Sequence, residues 1–111
     1  MSHANRRSQA RFRHIISARY EAGQASGTGY LWDVSESGLC LRVDTLPKKG
    51  DSVRIIILAD TPMTVHGEVR WIEDKGPQGV RRFGVLLSDV SDEFRTFYGE
   101  VVESGEPAAA S

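Results

Sequence analysis

The sequence predicts an all-β domain: six strands followed by one helix. Three observations carry that expectation. Six short segments are rich in β-branched and aromatic residues, and several of them alternate apolar with polar positions. Clusters of Gly, Ser, Asp and Pro separate these segments. Only the last periodic stretch repeats at i, i+3, i+4 and i+7. The length of 111 residues, with 40% hydrophobic and 26% charged residues, suits one packed domain.

Residues 1–13 are polar and without period, and read as a flexible arginine-rich arm. Over 14–21, Ile15 and Ile16 lead into Ser17, Ala18, Arg19 and Tyr20, a first strand ending near Gly23. The three glycines of 22–29 predict a turn. Tyr30, Leu31 and Trp32 mark a second strand over 29–34, and 35–38 a second turn. Leu39, Leu41 and Val43 then alternate with Cys40, Arg42 and Asp44, as in a half-buried strand. Residues 53–59 are β-branched and nearly continuous, which predicts a strand covered on both faces. Val65, Val69 and Trp71 alternate with His66, Glu68 and Arg70. After a Gly-Pro turn in 74–79, Phe83, Val85 and Leu87 are in phase on a sixth strand over 81–87.

The helix starts at Ser91, a good N-cap, with Asp92 and Glu93 on the positive end of its dipole. Phe94, Phe97, Tyr98, Val101 and Val102 give it one apolar face, and Gly99 weakens it by about 1 kcal/mol relative to alanine. Residues 104–111 are small and polar and read as a disordered tail, which leaves 14–103 as the folded body. Six strands escape exposed edges by closing into a small barrel or stacking as a two-layer sandwich, with the helix over an open end.

Several function classes fall away. The longest apolar run, Ile55 to Ala59, is far short of the roughly 18 residues that span a bilayer, so no membrane insertion is expected. The amino-terminal arginines precede no apolar run or small-residue cleavage site, so the expected location is cytoplasmic. A single cysteine excludes an internal disulfide. Cys40 faces away from Leu41, with no histidine near it in sequence, and reads as a surface or semi-buried thiol rather than a nucleophile. No His or Cys pair has metal-ligand spacing, and Gly23, Gly27 and Gly29 lack the lysine and the following helix of a phosphate loop. Neither catalysis, a metal nor a cofactor is expected.

The formal net charge of −1 hides an asymmetry. Arg6, Arg7, Arg11, Arg13 and Arg19 fall in the first 20 residues, which contain no acid; the rest has nine basic and fifteen acidic residues. A DNA- or RNA-binding barrel would carry its positive charge along a groove with exposed aromatics. Here the barrel portion is acidic and the cations sit in one short arm, which suits a compact anion. Arginine's planar fork matches phosphate and the O6/N7 edge of guanine.

A second cluster is DVSESG, Asp33 to Gly38, between two predicted strands. Asp33 is a carboxylate able to accept from the N1–H and N2–H of a guanine, Ser35 donates or closes the turn, and Gly38 permits a close approach of backbone. Arg13 reads as a surface arginine, and Trp32 and Trp71 as core or barrel-end packing.

Taken together, Arg7-x-x-x-Arg11 followed one hairpin later by Asp33-x-Ser35-x-x-Gly38 resembles the PilZ domain, a bacterial receptor for the second messenger c-di-GMP. GEVRW (Gly67 to Trp71), FGVLL (Phe83 to Leu87) and the serine-capped helix extend the resemblance from about Arg6 to Val102. Ser37 departs from it, standing where glycine is common. The resemblance implies a six-stranded antiparallel β-barrel with a C-terminal α-helix. It also implies that Arg7 and Arg11 clasp the phosphates and guanine edges of c-di-GMP, and that Asp33 and Ser35 contact a guanine beside Gly38. Arg6, just before the motif, implies a stacked pair of ligands per chain. The implied role is signalling to a downstream protein partner by ordering of the arm. The alternative is an adapter of the same fold that needs no nucleotide.

Overall fold

Alternation builds the interior. Leu39 and Leu41, Val53, Ile55 and Ile57, and Val65 and Val69 each share one face of a strand, and the computed structural model closes those faces around a single core. It describes residues 12–74, 79–104 and 106–107. The strands are β1 (Phe12–Ala22), β2 (Ala25–Val34), β3 (Gly38–Arg42), β4 (Ser52–Ile57), β5 (Met63–Glu73) and β6 (Arg82–Leu87). Helix α1 (Asp92–Ser104) follows, and a two-residue strand β7 (Glu106–Pro107) ends the described chain.

Every pairing among the described residues is antiparallel. The order β2-β3-β6-β5-β4-β1 closes on itself because β1 also pairs with β2, giving the six-stranded barrel. Closure is possible because β1 is long. Its second half, Ala18 to Ala22, pairs with β4 on one side and β2 on the other. Inside, Phe83, Leu31, Leu41, Ile55 and Val69 are fully buried. Tyr20 reaches the core with its ring tilted on Phe83 at 5.5 Å and its hydroxyl donating to the Thr45 carbonyl. Burial pushes the Tyr20 phenol above its usual range, the hydrogen bond to Thr45 opposes that, and Asp44 adds to it.

The helix begins as its sequence requires: the Phe94 amide donates to Ser91 Oγ at 3.0 Å. Phe94, Phe97 and Val101 are buried against the barrel, while Val102, at the margin of the apolar face, is exposed. Phe12 meets Tyr98 edge-on at 6.1 Å, so the start of β1 lies against the helix.

The structure departs from the sequence reading in places, each with a physical reason. The glycine-rich stretch is mostly strand: the turn is only Gly23–Gln24, and β2 runs from Ala25. Gly29 is a site of close approach, since a β-carbon there would collide with the Arg42 carbonyl. Strand β4 is covered on one face, because Arg54 points to solvent and pairs with Glu21 at 2.9 Å. Strand β1 already begins at Phe12, and Glu106–Pro107 pairs with Phe12 and Arg13 beyond the helix.

Candidate functional site

Of the residues singled out from sequence, Arg6, Arg7 and Arg11 lie outside the described residues. Asp33, Ser35 and Gly38 lie within them, at the β2–β3 connection. The turn is tied by its own backbone. The Ser35 amide donates to the Gly38 carbonyl at 2.9 Å, and Ser35 Oγ donates to the same oxygen at 3.4 Å. Ser35 is 2% exposed, so its hydroxyl serves the turn in this state. Gly38 provides proximity rather than unusual backbone angles. A β-carbon there would stand 2.7 Å from the Val85 carbonyl, and the Leu87 amide donates across to the Ser37 carbonyl at 2.8 Å. Glycine at 38 lets the turn seat against β6.

Register sets what surrounds this turn. On β1, Phe12 is opposite Val34 and Arg13 is opposite Asp33. The strand therefore leaves the barrel beside Asp33, and Arg11 is the residue just before Phe12. On the other side Asp33 is opposite Cys40, Cys40 opposite Gly84, and Gly84 opposite Trp71. One row thus runs over β2, β3, β6 and β5 on the outer face of the wall, with Arg13 of β1 at the same register level.

Three irregularities align that row, the first a register shift between Arg13 and Ile16 in the β1–β2 pairing. In the β2–β3 pairing the register shifts between Leu31 and Asp33, leaving Trp32 as the extra residue. In the β5–β6 pairing it shifts between Val69 and Trp71, leaving Arg70 extra. Each shift reverses the facing of the residues after it. Trp71 therefore turns outward and is 41% exposed, with its indole lying over Gly84, where any β-carbon would overlap Nε1. Trp32 is half-buried on the outer wall with the Arg42 guanidinium 5.4 Å from its ring centre. The expectation that both tryptophans serve as core or barrel-end packing is thereby corrected. Cys40, expected at or near the surface, is 2% exposed, so the wall is covered on both sides at this level.

The next outer row carries charge. Arg82 Nε donates to Glu73 Oε1 at 2.7 Å across the β5–β6 pair. That bond raises the Arg82 pKa further above the neutral range, burial opposes the rise, and the carboxylates of Glu73 and Asp33 add to it. Arg82 therefore sits within electrostatic reach of Asp33. At the helix end of the site, burial raises the Tyr98 phenol pKa and Glu36 of the turn raises it further, so the turn also lies near α1. Trp71, Gly84 and Arg82 are site neighbours that sequence reasoning missed. Only the FG pair at Phe83–Gly84, a glycine inside a strand pattern, hinted at the close approach.

The arrangement joins an arginine-bearing strand entrance, a carboxylate, a backbone-tied turn and an exposed indole on one wall. Among the described residues no group of three His, Cys, Asp or Glu side chains is placed to hold a metal ion. No helix among them is long and apolar enough to cross a membrane.

The family model of the PilZ domain matches residues 5–103, most of the chain. This chain belongs to the PilZ domain family. Two solved structures share its fold. The Bacillus subtilis inhibitor of motility, MotI/DgrA, superposes with a TM-score of 0.73 at 17% identity, covering 88% of this chain and 50% of that one. The PilZ domain of YcgR from Escherichia coli, solved with c-di-GMP, superposes with a TM-score of 0.69 at 13% identity, covering 88% and 90%. This PilZ chain thus spans half the length of the Bacillus protein. No curated protein matches the sequence. The closed six-stranded barrel with its C-terminal helix is the architecture that the motif resemblance implied.

Proposed function

We propose that this PilZ domain is a non-catalytic receptor for c-di-GMP, in which Arg7 and Arg11 clasp the ligand against the turn from Asp33 to Gly38. The observation that carries the reading is the β1–β2 register: Arg13 opposite Asp33 sets the arm's point of departure beside the turn. Asp33 then accepts from a guanine edge, and Trp71 offers a flat apolar face along the same row. Ser35 and Gly38 hold the turn that presents Asp33. The E. coli PilZ domain solved with c-di-GMP supports the ligand class.

The phosphates need cations, and the arm supplies them at the moment of binding. The entropy of ordering the arm then offsets part of the contact energy, so affinity is modest and adjustable. Arg6 extends the cationic stretch by one guanidinium, which suits a stacked pair of ligands whose phosphates repel one another. The arm ordered over the ligand presents a new surface to a protein partner. The reading is of a cytoplasmic signalling protein that engages neither DNA nor RNA.

Calorimetric titration with c-di-GMP, with GTP as control, tests this. Saturable binding of c-di-GMP and none of GTP is expected, with a plateau at two ligands per chain falling to one in Arg6→Ala. A plateau at one in both proteins overturns the stacked pair; no binding at all overturns the receptor.

A further inference from the structure

The outer row that carries Arg82 continues through Arg42 on β3 to Tyr30 on β2. Beside it, residues 14 and 15 of β1 stand against Trp32 alone, a bulge that leaves Ile15 on the outside. Ile15 is 54% exposed and Tyr30 52%. Both line one groove of about 400 Å³, together with Thr28, Trp32, Arg42 and Asp44. Single exposed apolar residues are ordinary, but a contiguous group framed by polar ones marks an interaction surface. Tyrosine, tryptophan and arginine are also the side chains that dominate protein interfaces.

The charges on this patch say what covers it. The Arg42 guanidinium lies 5.4 Å from the centre of the Trp32 ring and forms no ion pair among the described residues. Arg82, directly across the ladder, is a like charge already held by Glu73. The Asp44 carboxylate forms no ion pair among them either. Arg81 reaches that residue, but it donates Nη1 to the Asp44 carbonyl oxygen and Nε to Asp74. Arg42 and Asp44 are exposed on either side of buried Val43, so they share the outer face, about 7 Å apart along the chain. An acidic partner would satisfy Arg42 and be repelled by Asp44, and a basic one the reverse. A surface with one of each is its own complement. A twofold axis lying across the strands, midway between the two residues, sets Arg42 of each copy on Asp44 of the other. The same axis brings Tyr30 of each copy to Thr28 of the other, two residues back on β2, with Ile15 and Trp32 at the flanks of the contact.

We propose that this wall is the interface of a symmetric dimer, in which Arg42 of one copy pairs with Asp44 of the other, twice. The dimer does not rest on the c-di-GMP reading. The lining of the groove is well short of the roughly 20–30 residues a side of a stable complex, so the dimer is weak and forms as concentration rises.

Sedimentation of the full chain without nucleotide, over a series from micromolar to millimolar, tests it. Association to a dimer is expected, weakened in 1 M salt, where the Debye length is about 3 Å. Arg42→Asp and Asp44→Arg each turn both cross-pairs into like-charge contacts, and each should raise the dissociation constant about tenfold or more. The double variant Arg42→Asp/Asp44→Arg exchanges the two charges and should recover the wild-type value. An equimolar mixture of the two single variants should pair as a mixed dimer. Both positions are exposed, and thermal midpoints confirm folding. A wild type that stays monomeric throughout the series overturns the proposal, as does a dimer indifferent to both single variants. Weakening without recovery in the double variant or the mixture overturns the twofold pairing. If a charge variant does not fold, the salt dependence of the wild type and the loss in Tyr30→Ser decide, and a dimer unmoved by both overturns the assignment.

Discussion

The two halves of the barrel wall are built from similar strands but differ in regularity. Around β4 the pairing with β1 and with β5 proceeds without a register shift, and the outer face carries solvated residues such as Ser52 and Arg54. Around β3 and β6 the flanking β2 and β5 each slip by one residue, and both shifts border the level of the Cys40–Gly84 pair. The regular half sends every alternate residue to the core and nothing in particular outward. The irregular half sacrifices ladder continuity, and in return an aspartate, a buried thiol and an indole stand in one outer row. Bulges re-aim side chains at functional sites in this way. The difference separates what holds the barrel together from the wall that the proposed function assigns to the ligand.

That separation can be broken by substitutions on either side. Ile55 is fully buried on the regular half, and Ile55→Ala should cost about 2–5 kcal/mol of stability by chemical denaturation. Nucleotide affinity of the molecules that remain folded should be unchanged; a large loss would mean that the two halves are coupled. Arg7→Ala and Arg11→Ala should do the reverse. Each removes charge-assisted bonds worth about 1.5–3 kcal/mol in binding, a tenfold or greater loss of affinity, while the thermal midpoint without ligand stays put.

Gly84→Ala sharpens the comparison on the irregular half. A methyl there meets the Trp71 indole, so the ring must swing away, at about 1–3 kcal/mol if the strand resists. Tryptophan emission of the free protein should change and c-di-GMP affinity should drop. Unaltered affinity would remove Trp71 from the site. The smallest effect is expected at Tyr20. Its pKa is raised in the fold, so its stabilising contribution is whole below about pH 10, the unfolded value, and is lost as pH climbs through the folded value. In Tyr20→Phe the thermal midpoint should fall less steeply with alkaline pH than in the wild type, a comparison read by melting curves across that range.

Simple alternation and the helix cap were the legible features. Leu39 and Leu41 declare their facing by spacing, and Ser91 announces the helix through the hydrogen bond it accepts, whereas the nearly continuous apolar run around Ile55 hid that β4 is covered on one face only. Motif order identified the Asp33–Gly38 turn because its chemistry is local. Trp32 and Trp71 were misread because their facing follows from a single extra residue in each strand, which a period-two pattern conceals. Cys40 was misjudged for a related reason: its outward phase was evident, but not that the outer face is covered there. Glycine in 25–29 looked like turn chemistry, whereas Gly29 answers to the approach of another strand's carbonyl. Nor does a sequence pattern state that Arg13 pairs with Asp33, since register between strands is a tertiary property.

The central claim is that ligand engages the irregular half, and amide chemical shifts locate it most directly. On titrating the ¹⁵N-labelled full chain with c-di-GMP, the largest changes should fall at Asp33 to Gly38, Cys40, Trp71 and Gly84. The amides of β4, Ser52 to Ile57, should hold their positions. Changes centred on β4, or a spectrum indifferent to saturating c-di-GMP, would contradict the account.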